Sequence, residues 1–273
     1  MPASQASSNH SAPQSFTPSS LATVIAIAVV AYAADDTVHE LIGHGLASLM
    51  LHVKMLSIST IGLQTVESSR IVAAAGAGAN VIAGATALLF AGRLQGFNSW
   101  RYFLWLFGFI NLMNGTGYLM ASALLGGGDW TVVIAGLNPP MLWRVGMGLT
   151  GVVLFTAVVR WAASVMARMI RQGAVNRHDL SRLTLPAYLA GGVLFVAASV
   201  FNPVGPSLIL GSGAGASLGL TFGLLLVPRI LEDKTEQQSP PGPSLQLSWS
   251  WLLAAIFVAA IFIGVFGPGV RLS

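Results

Sequence analysis

The feature that most constrains this chain is a succession of long apolar runs separated by short polar stretches. A bilayer core of about 30 Å is crossed by about 20 mostly apolar residues in a helix. Runs of that kind lie near 21–51, 71–92, 102–125, 141–160, 186–201, 206–227 and 249–267. They predict an all-α, multi-pass membrane helix bundle of six or seven spans, with the lipid bilayer as its partner and the cell membrane as its location. The count stays open in two places. Asp35 and Asp36 interrupt the first run, while Asn202, Pro203, Gly205 and Pro206 divide the fifth from the sixth; either suits a broken helix. Composition agrees, because only 8% of the 273 residues are charged and 54% are hydrophobic, whereas soluble domains carry about 25% charged residues.

The stretches between the runs complete the organisation. Residues 1–20 contain no Lys or Arg and are rich in Ser, Pro and Ala, which predicts a disordered tail, His10 included. Residues 21–130 form a first membrane core, in which the alternating segment 52–70 predicts a short β-hairpin after the first span. Further membrane helices fill 131–227. Within them, Trp161, Met166, Met169 and Ile170, set among Arg168, Arg171, Arg177 and Arg182, predict an amphipathic surface segment near 161–185. A polar linker over 228–248, with Pro240, Pro241 and Pro243, leads to the last helix and tail at 249–273. Trp100, Trp105, Trp130 and Trp143, near run ends, are expected as interfacial anchors.

Charge and cysteine usage exclude several functions. Thirteen Lys and Arg face nine Asp and Glu, but the basic residues sit in short inter-run stretches, as topology-setting loops do, so nucleic acid is not an expected partner. In a seven-span reading, the amino-terminal tail, Arg93, Arg101, Arg168 to Arg182 and Arg229 with Lys234 share one side, which is expected to be cytoplasmic. The absence of Cys removes disulfides, thiolate metal sites and a cysteine nucleophile.

The end of the first run carries the functional signal. Asp35, Asp36, His39, Glu40 and His44 lie in a segment otherwise dominated by Ala, Val, Ile and Leu. Ionisable groups are costly in lipid and persist mainly where they face the bundle interior, pair with one another or bind an ion. Two imidazoles suit zinc, and a neighbouring Glu can take the proton of an attacking water. The two histidines are five residues apart, so on a regular α-helix they would diverge by roughly 140° around the axis. One π-turn, with its i to i+5 bonds, would return them to one face, and Gly43 offers a backbone tolerant of the distortion.

The motif His39-Glu40-x-x-Gly43-His44 resembles the zinc motif of the dipeptidyl peptidase III family, although no other part of the chain resembles that soluble enzyme. Over residues 21–130 the chain resembles the site-2 protease family of intramembrane zinc metalloproteases, in which the His-Glu helix is followed by a β-hairpin and then by an Ala-Gly-Pro-x-x-Asn landmark. Here Ala75, Gly76 and Asn80 match that landmark, with Ala77 in place of Pro, and Asn111, Leu112, Met113, Asn114 and Gly115 resemble the start of the next one. The resemblance implies a zinc metallopeptidase that cleaves membrane-protein or peptide substrates, with His39 and His44 as zinc ligands and Glu40 as general base. It also implies a zinc-binding Asp after the Asn111 to Gly115 landmark. Asp129, the only acidic residue between Glu67 and Asp179, takes that place, and Asp35 is its rival.

Other roles remain open on the sequence. Asn80, Asn111 and Asn114 are expected either to contact substrate or to hydrogen-bond between helices. Asp35 and Asp36 are expected behind the ligands, with Asp35 orienting His39 or pairing with it. The alternative function is a non-enzymatic or transport-type membrane protein that keeps a protease-like core and uses Asp35, Asp36, His39 and Glu40 as a proton or cation path.

Overall fold

A computed structural model of the chain describes residues 18–203, 215, 217–232 and 245–272. Most of the expected tail at 1–20, much of the span expected at 206–227 and most of the linker at 228–248 lie outside the described residues. What is described is mostly helical. Helix α1 (Pro18–Thr37) passes without a break into a π-helix (Val38–Gly45) and then α2 (Leu46–Met50). Strands β1 (Met55–Ser59) and β2 (Gly62–Thr65) follow, then α3 (Arg70–Arg93), α4 (Ser99–Leu125), α5 (Asp129–Ile134) and α6 (Pro140–Arg171). Helices α7 (Leu180–Val200), α8 (Gly223–Glu232) and α9 (Trp249–Ile261), a further π-turn (Phe262–Phe266) and β3 (Val270–Arg271) follow. Among the described residues, five stretches are long and apolar enough to cross a membrane: Ser20–Met50, Arg70–Arg93, Pro140–Arg171, Arg177–Val200 and Trp249–Phe266.

Polar side chains start the two helices that frame the site. Ser69 Oγ accepts from the Val72 amide at the head of α3, and Asn98 Oδ1 accepts from the Arg101 amide (2.9 Å) at the head of α4, each satisfying an orphaned N–H. Gly126, at φ +69°, closes α4 in the left-handed conformation that favours glycine.

Helix α4 is the centre of the bundle, packed against α1, α3 and α6. Small residues let these backbones approach, as membrane helices require in the absence of a hydrophobic drive between them. A methyl at Gly84 would come within 2.8 Å of Gly108 O, and one at Gly115 within 2.9 Å of Ala77 O. Trp105, Phe109, Ile110 and Met113 of α4 are fully buried beside Ile27 and Tyr32 of α1 and Met166 of α6. Arg101 is also fully buried: Nε donates to Ala91 O (2.9 Å), Nη2 to Gln172 Oε1 (3.0 Å) and Nη1 to Gly96 O. It therefore binds the α3–α4 turn to the end of α6.

Two sequence expectations are corrected here. No separate surface helix lies over 161–185: α6 runs on to Arg171 and α7 begins at Leu180. The apolar residues that suggested a headgroup-facing stripe point into protein, with Met166 and Met169 fully buried and Ile170 nearly so. Trp105 is not an interfacial anchor, because it is fully buried and its Nε1 donates to Ala162 O (3.1 Å). Trp100 and Trp143 are exposed.

The sheet has the order β2-β1-β3, antiparallel throughout. β1 and β2 form the hairpin, with Ile58 opposite Leu63 and Ser59 opposite Gly62. β3 arrives from the far end of the chain, where Leu272 N–H donates to Leu56 O (2.9 Å), and Thr60 N–H is taken by Phe266 O (3.1 Å). β2 is thus left as an edge strand beside the π-helix.

Candidate metal centre

The π-helix resolves the five-residue spacing. Over Val38–Gly45 the backbone takes the wider turn, and the His39 and His44 rings come together with centroids 4.7 Å apart, nearly perpendicular at 85°. The sequence motif thereby presents both imidazoles on one side of the helix.

The ring edges face α3 and the head of α5. Asp129 is the first residue of α5 and follows Gly126, Gly127 and Gly128, of which Gly126 and Gly128 take positive φ (+69° and +86°). That reversal turns the chain back toward the bundle after α4. Asp129 Oδ2 lies 3.0 Å from His39 Nε2 and 3.2 Å from His44 Nε2. One ligand atom from each of His39, His44 and Asp129 can be chosen so that all lie within 4.8 Å of one another, and the group could hold a metal ion. The two shorter separations sit close to the about 3.3 Å between donors that bonds of about 2.0–2.1 Å impose at a tetrahedral angle. Burial pushes the Asp129 carboxyl up, and the two imidazoles more than offset it, leaving it at about 2.

Backbone contacts aim the ligands. His44 Nδ1 meets Val72 O at 2.7 Å, so that nitrogen carries the proton and the Nε2 lone pair points inward. The rings overhang Gly76, where a methyl would lie 2.5 Å from His44 Nε2 and 2.7 Å from His39 Nε2. Glu40, beside His39 in the π-helix, accepts through Oε2 from the Leu63 amide of β2 at 2.7 Å. Two cavities flank the group, of about 160 Å³ and about 170 Å³. The first extends past Asp36 and Thr60 to Leu125 and Phe195; the second extends past Leu63 and Ser69 to Val72. His39, Glu40, Ile61 and Tyr118 line both.

The remaining candidates fall elsewhere. Asp35, the rival ligand, is buried and accepts from Asn80 Nδ2 (2.8 Å) and from Asn114 Nδ2, tying α1 to α3 and α4. Its carboxylate is committed to the two amides and has no hydrogen bond to His39 among the described residues. Asn80 and Asn114 border the first cavity, but their donors serve Asp35. Asn111 is fully buried and donates to Phe107 O within its own helix (2.9 Å). Asp36 lines the first cavity beside Glu40.

Sequence reasoning missed Val72 O, the Leu63 amide and Tyr118. The first two are backbone groups and leave no residue signature; Tyr118 follows Gly115-Thr116-Gly117, a setting that carries no chemical signal. Gly76 carries only a packing signal in the sequence, as a member of the run Gly76, Gly78 and Gly84, and a place in a family landmark. No protein-family model matches the chain, and no curated protein or solved structure matches it either.

Proposed function

We propose that this chain is an intramembrane zinc metallopeptidase, akin to the site-2 proteases in its first membrane core, that hydrolyses peptide bonds of membrane-protein substrates. The observation that carries this reading is the convergence of His39, His44 and Asp129 with Glu40 on the same π-helix. Two borderline nitrogen donors and one carboxylate are the donor set of a three-ligand catalytic zinc. Zinc in such a set supplies a Lewis acid that acidifies water and polarises a carbonyl.

The chain's own groups divide the rest of the work. Glu40 is held through Oε2 by the Leu63 amide, and its Oε1 accepts the proton of the attacking water and returns it to the leaving amine. The Val72 carbonyl keeps His44 in the tautomer that ligates. β2 is an edge strand, and beyond the Leu63 amide that Glu40 takes its edge suits an extended peptide, since a helical substrate hides its scissile bonds in its own hydrogen bonds until it unwinds.

The alternative, a non-enzymatic or transport-type protein with the same core, draws on Asp36, a carboxylate beside Glu40 at the first cavity. It expects no bound zinc, with the histidines and Asp129 forming an ion-paired cluster. Metal analysis of purified protein separates the two. We expect one zinc per chain, lost in His39→Ala, His44→Ala and Asp129→Ala. Folded wild-type protein that neither contains zinc nor takes it up overturns the proposal.

A further inference from the structure

Tyr118 stands where the two cavities meet. Its ring contacts the His39 ring edge-on, with centroids 5.8 Å apart at 64°. The phenol oxygen lies beside the Asp129 backbone amide and so close to Gly128 that a methyl there would come within 2.6 Å of it. The side chain is therefore fixed over the His39, His44 and Asp129 group, between α4 and the turn that delivers Asp129.

The chain has four tyrosines, and the other three have hydrogen-bond partners in the protein. Tyr32 Oη pairs with Thr221 Oγ1 (2.7 Å), Tyr102 donates to Leu183 O (2.6 Å) and Tyr188 donates to Leu218 O (3.2 Å). Tyr118 differs in direction: its oxygen accepts from the Asp129 amide, and among the described residues no acceptor takes its hydrogen. A phenol so placed, in a segment where unsatisfied polar groups are costly, has its hydrogen available to whatever enters the cavities. The nearby ionisable side chains Glu40 and Asp129 are acceptors when ionised and can offer nothing to an anionic oxygen. The Thr65 hydroxyl, on the second cavity, is already spent on Glu67 O (2.8 Å).

We infer that Tyr118 donates a hydrogen bond to the anionic oxygen of an acyl ligand bound at His39, His44 and Asp129, the position at which a cleaved peptide carbonyl develops negative charge. The inference rests on the metal-site reading above and assigns that site a donor which neither its ligands nor Glu40 provides.

The test uses the full-length protein loaded with cobalt, whose visible absorption reports the ligand sphere without any turnover, and acetohydroxamate as the probe. Tyr118→Phe removes one oxygen and keeps the ring against His39. The expected result is unchanged cobalt stoichiometry with acetohydroxamate binding weakened about 10- to 100-fold, the range for a hydrogen bond to a charged group. Equal affinity in wild type and Tyr118→Phe overturns the inference while leaving the metal site standing. Loss of cobalt from Tyr118→Phe makes the phenol a structural group and also overturns it. Wild-type protein that takes up no cobalt defeats the metal-site reading, and the inference falls with it.

Discussion

The backbones of Gly43 and Gly76 touch: a methyl on Gly43 would overlap Gly76 Cα and come within 2.8 Å of Ala75 O. This contact seats the π-helix directly on α3, so that both imidazoles overhang Gly76 and His44 reaches Val72 O. Gly43 matters here through its missing side chain, which permits backbone contact, more than through the tolerance of distortion that its sequence context suggested.

Gly76→Ala is accordingly the most selective small change at the site. Its methyl would sit 2.5 Å from His44 Nε2 and 2.7 Å from His39 Nε2, where a ligand ring must move by several tenths of an ångström. Such a shift misaligns the donors and is expected to weaken zinc at least about 10-fold, the scale of loss when ligand orientation is disturbed. Zinc titration of the purified variant checks this, and wild-type affinity in Gly76→Ala contradicts the cradle.

Much of the site was legible because intramembrane charge is rare. In a chain with 8% charged residues, Asp35 to His44 stood out, the spacing of His39 and His44 demanded a π-turn, and Asp129 had no acidic competitor nearby in sequence after Glu67. What stayed hidden depends on distant partners. The pairing of Asp35 with Asn80 and Asn114 spans 45 and 79 residues, and β3 is only two residues long. The end of α6 was misread because a helical apolar stripe looks the same whether it faces headgroups or another helix.

Asp35 is expected to matter for stability. Asp35→Ala strands the buried donor of Asn80, at a cost of about 1–3 kcal/mol, and the part-buried donor of Asn114. Asp35→Asn keeps an acceptor for one of them and should lose less. Thermal unfolding in detergent orders the variants as wild type, Asp35→Asn, Asp35→Ala; equal midpoints for wild type and Asp35→Ala contradict a clamp across α1, α3 and α4.

Topology follows from where the arginines gather. The contacts of Arg101 with Gln172 (3.0 Å) and of Arg168 beside Gly92 put Arg93, Arg101, Arg168 and Arg171 at one end of the bundle. The hairpin and Asp129 lie at the other end, since α3 and α4 run antiparallel. The richer basic end is expected in the cytoplasm. Because the chain has no Cys, single cysteines report cleanly: on intact cells an impermeant maleimide should label Glu67→Cys and spare His178→Cys. The reverse pattern inverts the orientation and places the hairpin in the cytoplasm.

The last prediction separates chemistry from architecture at Glu40. Its carboxylate has a structural partner, the Leu63 amide at 2.7 Å, and a proposed chemical one, the attacking water. Glu40→Gln keeps a carbonyl oxygen for Leu63 but removes the basicity needed to take a proton, so fold and zinc should persist while turnover of a membrane-protein substrate falls about 10²- to 10⁴-fold. Glu40→Ala removes both functions. It leaves the Leu63 amide without this acceptor and should also lower the unfolding temperature, as a lost hydrogen bond worth about 1 kcal/mol would. Equal loss of stability in both variants makes the charge itself what holds the hairpin in place. If Glu40→Gln retains wild-type turnover, Glu40 is only the anchor of β2, and the base must be sought elsewhere among the carboxylates of the first cavity, where Asp36 is the nearest in sequence.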